Sequence, residues 1–208
     1  MLRIMKKEID PEGSKVLFGE PVSEHCFGAH WKVHSGDWRV EGEWITGRNR
    51  ENRPGMMFLR GDFPGDVLVD FEARTVPPSS HDINVMWNGS WDGMKNERGT
   101  AYVAGLEGWW EGKVGIEKSP EYKLTAGTPL FDFNPGRIYR IQTGSIGGHC
   151  FIFVDGGLAL EMTDPDPIDS NRFTKVGFEA YCSHIQVRSV RVLAVAWRPI
   201  EMKYAAEF

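Results

Sequence analysis

The sequence predicts an all-β fold, two antiparallel sheets stacked as a jelly-roll β-sandwich, and three observations carry that expectation. Short runs with period-two alternation recur about every 8 to 12 residues, bounded by Gly, Pro, Asp and Asn. Helical periodicity is nearly absent. The segment HCFIFVDGGLALEM sets Asp155 and Gly156 between two apolar runs, the composition of a tight hairpin.

Taken in order, the strand signals are DWRVEGEWITG, MMFLRG, DVLVDFEART, DINVMWNG, TAYVAGLEG, KVGIEKS and RIYRIQTGS, then the DG hairpin, KVGFEAY and IQVRSVRVLAVAW. So many strands must stack or close to bury their apolar faces, which leaves a sandwich, jelly roll or barrel. Pro77 and Pro78 break the chain after the third run, and DPDPIDS is a rigid acidic loop. Strand spacing continues on both sides of each, so 1–208 reads as one domain, with 1–12 loosely held.

Composition narrows the function. Lys and Arg total 24 against 29 Asp and Glu, a net charge of −5 with no basic stripe, which argues against nucleic acid. No apolar run approaches the roughly 20 residues that cross a bilayer, and the N-terminus lacks a signal-like stretch, so the expectation is a cytoplasmic protein with no membrane partner. The three cysteines, Cys26, Cys150 and Cys182, lack CxxC spacing and read as buried thiols. Cys182 falls on the apolar register of its strand. No HxH or HExxH spacing sets two imidazoles on one face, so no metal site is expected. The only cofactor the composition would suit is a structural Ca²⁺ on Asp164, Asp166 and Asp169.

Eight tryptophans are more than a core needs. Five or six read as packing; the rest offer flat apolar platforms suited to the C–H faces of sugars. The expected partner is therefore an oligosaccharide or polysaccharide fragment, with a homodimer through an apolar sheet face as a further possibility.

The order of segments, from GDWRVEGEWITG through DVLVDFEA and the DG hairpin to a terminal VGFEAY and VRSVRV pair, resembles the concanavalin A-like lectin and glucanase superfamily. Within it the chain resembles the 3-keto-disaccharide hydrolase type and related bacterial sugar-utilisation domains, over most of residues 36 to 195. The matching positions are Val176, Gly177, Phe178, Glu179, Ala180 and Tyr181, followed by Val187, Arg188 and Val190. Tyr102, Val103, Ala104 and Gly105 align with the family's Tyr-Glu-Val-Gln strand but lack its polar groups. The resemblance implies a jelly roll and carbohydrate-related activity.

Period-two bookkeeping supplies the candidate site. On DINVMWNG, Ile83, Val85 and Trp87 form the apolar set, leaving Asp82, Asn84 and Asn88 with Met86 on the other face. Asn88-Gly89-Ser90 is also a glycosylation sequon, discounted without a signal peptide. Val103, Gly105 and Glu107 share a face, small residues there leave an open floor, and Trp109 and Trp110 follow in a turn. Glu117 reads as a solvated strand residue.

Glycoside hydrolysis needs two carboxyl groups, and Glu107 and Glu179 are the expected pair, with Asp82 in reserve. Elimination on a uronate needs a base, an acid and a group on the carboxylate, and would draw on His184, Tyr181, Asn84 or Asn88, and Arg98. The expected catalytic set is thus Glu107, Glu179, Tyr181 and His184. Asp82, Asn84, Asn88, Trp87, Arg98, Trp109 and Trp110 are expected to bind substrate. The alternative is a non-catalytic glycan-binding module using the same groove.

Overall fold

A computed structural model describes residues 1–50, 53–109, 112–121 and 123–201. In chain order, β1 (Leu2–Ile4), β2 (Lys7–Ile9) and β3 (Lys15–Phe18) precede one short helix, α1 (Glu24–His30). Then follow β4 (Trp31–Val33), β5 (Asp37–Glu41), β6 (Trp44–Arg48), β7 (Gly55–Leu59), β8 (Val67–Thr75) and β9 (Ile83–Gly89). Next come β10 (Trp91–Asp92), β11 (Glu97–Arg98), β12 (Ala101–Gly108), β13 (Lys113–Ser119) and β14 (Lys123–Thr128). The chain continues with β15 (Tyr139–Ile146), β16 (His149–Val154) and β17 (Gly157–Thr163), and ends with β18 (Lys175–Ala180), β19 (His184–Ala194) and β20 (Trp197–Pro199).

Two large antiparallel sheets form a jelly-roll-like sandwich. One has the order β14-β13-β12-β9-β18-β7-β4; the other runs β17-β16-β15-β8-β19-β6-β5, with β3 pairing β19 beside it. The core between them follows directly from strand alternation. Val67, Val69, Phe71 and Ala73 of β8 face Ile83, Val85 and Trp87 of β9, with Val176, Phe178 and Ala180 of β18 in the same cluster. Asp155 and Gly156 both take positive φ, at 51° and 82°, as the tight β16–β17 turn requires.

The outer side of the second sheet is divided. At one end Leu68, Phe151, Phe153 and Leu193 form an apolar patch, covered by Leu2, Ile4 and Ile9. Those residues belong to the β1-β2-β20 sheet. This hairpin removes an apolar patch from water, and Met5 N donates to Glu161 (2.9 Å). The rest of that face is ionic. Asp70 accepts from Arg140 (2.8 Å) and Arg191 (2.6 Å), while Trp44 lies between the Arg74 and Arg188 guanidiniums at 4.7 and 4.3 Å.

Two expectations need correction. Cys26 and Cys150 are buried, but Cys182 is exposed, because its φ of 50° turns it out of the strand register. The DPDPIDS carboxylates are engaged by protein donors, Asp164 and Asp166 sharing the Lys118 ammonium. Asp164 accepts from Tyr102 (2.7 Å) and pairs with Lys118 (2.9 Å), Asp169 accepts from Asn171 N (3.0 Å), and the Asp166 side chain is fully exposed. Among the described residues no group of three His, Cys, Asp or Glu could hold a metal ion. No helix among them is long and apolar enough to cross a membrane.

Candidate functional site

The outer face of the first sheet carries what the core does not use. Residues alternating with the buried set put Asn84 and Met86 of β9, Val103 and Gly105 of β12, Gly115 and Glu117 of β13, and Glu179 of β18 on this side. Part of the face is apolar, with Met56, Phe58, Met86, Ala101 and Val103 clustered under Trp91. Beside it opens a hollow of about 730 Å³.

A two-stranded ribbon delivers the residue at the centre of the hollow. β10 and β11 pair Trp91 with Arg98 and Asp92 with Glu97. At the ribbon's tip Asp92 Oδ1 accepts from Met94 N (2.9 Å) and Lys95 N (3.2 Å), an Asx turn. Trp91 anchors it, with ring centroids 4.1 Å from His34 and 5.6 Å from Phe58. Arg98, only 1% exposed, then inserts between two acids. Nη1 donates to Glu179, Nη2 donates to Glu117, and Nε donates to Ser119 Oγ at 3.1 Å. A guanidinium presents its donors in a fixed planar fork, so it sets the positions of both carboxylates.

Around this clamp stand the other polar groups. Trp109 Nε1 donates to the second oxygen of Glu117 (2.9 Å), and its ring lies over Gly115, where a Cβ would come within 2.6 Å of it. Asn84 Nδ2 donates to Asp82 Oδ1 (2.7 Å), leaving Asn84 Oδ1 buried without a partner. Burial first, and the Glu179 charge second, push the Asp82 carboxyl well above the usual carboxylate range. Burial likewise raises Glu179, although Arg98 opposes it. Glu107 is raised by burial, with His81 opposing. The Tyr181 phenol is raised by burial and then by Cys182, Asp82 and Glu179.

The structure brings together most of the residues the sequence singled out. Glu107, Glu179, Tyr181, Asp82, Asn84, Arg98 and Trp109 all line the hollow. Trp110 lies outside the described residues. Three expected members lie elsewhere. Trp87 is fully buried in the inter-sheet core, its Nε1 donating to Ser145 Oγ (3.0 Å). Asn88 has a φ of 42° and turns inward, accepting from that Ser145 (3.1 Å) and donating to the Gly65 carbonyl (3.2 Å). That burial also removes it as a glycan acceptor in the folded chain.

His184 begins β19 in the other sheet, opposite Arg48. Its pKa is lowered by burial and then by Arg48. The corner between β18 and β19, where Cys182 takes a positive φ, carries the chain from one sheet to the other and takes the imidazole away from the hollow. The uronate-elimination set is therefore not assembled, and Arg98 is already committed to two glutamates.

Sequence reasoning missed Glu117, which is 5% exposed and at the centre of the clamp. The same period-two count that found Glu179 finds it, since Val114 and Ile116 face the core. Arg53, Pro54, Ser80, His81 and Glu97 complete much of the rim and had no motif to mark them.

Fold and site together define a jelly-roll-like β-sandwich with a polar hollow on one sheet face. No family model matches the chain, and no curated protein matches it by sequence. Solved structures do. The carbohydrate binding module CBM66 from Bacillus subtilis superposes with a TM-score of 0.64 at 14% identity, over 79% of this chain and 96% of that one. A Bacillus subtilis protein of unknown function with a galectin-like fold gives 0.67 at 15% identity, over 87% and 96%. The VIP36 exoplasmic/lumenal domain, in a Ca²⁺/Man3GlcNAc-bound form, gives 0.56 at 10% identity, over 96% and 94%. At these identities the likeness establishes the fold. The cytoplasmic expectation, drawn from the N-terminus alone, is corrected by these neighbours, one of which is by its own description an exoplasmic, lumenal domain.

Proposed function

We propose that the protein is a non-catalytic glycan-binding module that seats a sugar in the hollow against Trp109. The observation that carries this reading is the clamp: Glu117 and Glu179 are both held by Arg98, and Glu117 also by Trp109. Carboxylates fixed in this way are rigid acceptors for sugar hydroxyls, and a half-buried indole supplies an apolar face for the ring. The likeness to a carbohydrate binding module and to a Man3GlcNAc-bound domain supports the same reading. Acid and base chemistry requires titratable groups whose environments drive their pKa values apart. Asp82, Glu107 and Glu179 instead all move upward.

A second reading, glycoside hydrolysis, is favoured by that same upward shift, since a carboxyl kept protonated at Asp82 or Glu107 is what a leaving-group acid needs. One experiment separates the two. The protein is titrated with a panel of neutral, amino and acidic oligosaccharides by calorimetry, and each mixture is then assayed for new reducing ends. Binding without cleavage is the expected result. Cleavage that disappears in Glu107→Gln or Asp82→Asn would establish the hydrolase, and heat from none of the sugars would end both readings.

A further inference from the structure

We propose that the sugar taken by the hollow is an amino sugar whose amine is free and protonated. This rests on reading the hollow as a glycan site, and names the class of glycan. Its lining contains five carboxyl groups, Asp82, Glu97, Glu107, Glu117 and Glu179, against the guanidiniums of Arg53 and Arg98 and the imidazole of His81. Arg98 is shared between two of those acids, so it does not offset the other three. Acidity alone would not define a ligand, but a second feature does.

Asn84, 6% exposed, lines the hollow with its Oδ1 unpartnered, because its Nδ2 is spent on Asp82. Among the described residues, the indole N–H on the wall, that of Trp109, is likewise spent, on Glu117. Ser80 and His81 also bring donors to the rim, but among the described lining residues the buried polar atom left without a partner is an acceptor, Asn84 Oδ1, and it stands among carboxylates. An ammonium group answers both requirements, with three donors, no acceptor and a positive charge. An acetamide would bring a carbonyl acceptor and no charge; a uronate would bring more negative charge. The Trp109 ring adds an attraction of its own, since indole faces favour cations. A cation bound beside Asp82 would also offset the Glu179 charge that, after burial, raises the Asp82 carboxyl.

The test uses the full chain at pH 6, where an amine is protonated, and three tetrasaccharides of one linkage: glucosamine, N-acetylglucosamine and glucose, with spermine as a cation that is not a sugar. The glucosamine oligomer should bind at least about tenfold more tightly than the other two sugars and than spermine. Its affinity should fall as NaCl rises from about 50 to 500 mM, as expected of a charge contact at a partly open site. Glu107→Gln, at a half-exposed position that tolerates the change, should narrow the preference for the amine to roughly threefold or less. If the acetylated or glucose oligomer binds as tightly as the amine, the inference fails while the glycan reading stands. Spermine binding as tightly as glucosamine also defeats it. If no tetrasaccharide binds, the inference fails, and the wider panel above decides the glycan reading separately.

Discussion

Replacing Arg98 by Met removes the positive charge at the floor of the hollow while keeping an unbranched side chain of similar reach. Glu117 and Glu179 are each about 5% exposed and both lose their guanidinium partner. Removing one member of a buried ion pair costs about 3–5 kcal/mol, because the charge left behind is neither solvated nor paired. For a chain of this size that lowers Tm by roughly 10 °C or more. The penalty depends on pH. Without Arg98, the positive charge that opposed burial at Glu179 is gone, so its folded pKa rises further above the unfolded value. A group with a raised folded pKa contributes stability that is fully present below the unfolded pKa and lost as pH rises through the folded one. The deficit of the variant should therefore be large at pH 8 and much smaller near pH 4.5. Urea denaturation of both proteins at the two pH values measures it. A deficit under about 1 kcal/mol at pH 8, or one equal at both pH values, would refute the clamp as an ionic structure.

Three further outcomes follow from the same geometry. Asp82 also has a raised folded pKa, so its ionisation costs stability above that pKa; Asp82→Asn should raise Tm at pH 8 by about 2–4 °C, a gain that shrinks towards pH 4 in calorimetric scans. Gly105→Ala would put a Cβ inside contact distance of Asn84 Oδ1 and 2.9 Å from the Ile83 carbonyl, so denaturation should show a loss of about 1–3 kcal/mol together with weaker sugar binding. Trp109→Ala removes the apolar wall and the donor to Glu117, and calorimetry should show sugar affinity falling by roughly 30-fold; a loss under about threefold would show that the indole is not a contact.

Much of this was legible because the long strands obey a strict alternation. β8, β9, β12, β13 and β18 each put every second side chain into the core, so Asn84, Gly105 and Glu179 could be placed on the opposite face by counting. Counting fails where the backbone breaks step. Asn88 turns inward through a positive φ beside the irregular β9–β18 register, and Cys182 turns outward the same way. His184 was lost to the corner between the sheets, since strands adjacent in sequence need not share a sheet. Short elements carried no period at all: the two-residue strands β10 and β11 and the seven-residue α1, whose one signal is Ser23 accepting from Cys26 N (3.0 Å) at its N-cap. Glu117 is a different kind of miss, because its register was readable and only the assumption that a strand glutamate is solvated hid it.

The β10–β11 ribbon links folding to recognition. Neither of its strands belongs to the two large sheets, so its position depends on Trp91 and Arg98, which stand opposite each other at the end of the pairing away from the turn. Trp91 is held by apolar contact with Phe58 and His34, which has no directional requirement; Arg98 is held by three donors in a fixed plane, which does. The apolar member of the pair thus supplies the attraction and the ionic member sets the position. Gly99 fits the close crossing, since a Cβ there would meet Ser90 Oγ at 2.6 Å. Because the ribbon is seated by the same guanidinium that fixes the acceptors of the hollow, loosening Arg98 should release the ribbon and blur the site together. Hydrogen exchange at Ser90 and Gly99 N–H, which close the ribbon onto Thr100 and Ser90 carbonyls at 2.8 and 3.0 Å, should accelerate in Arg98→Met in step with the loss of sugar affinity. Protection that survives while affinity is lost would mean that the ribbon is seated by Trp91 alone and that Arg98 serves the ligand only.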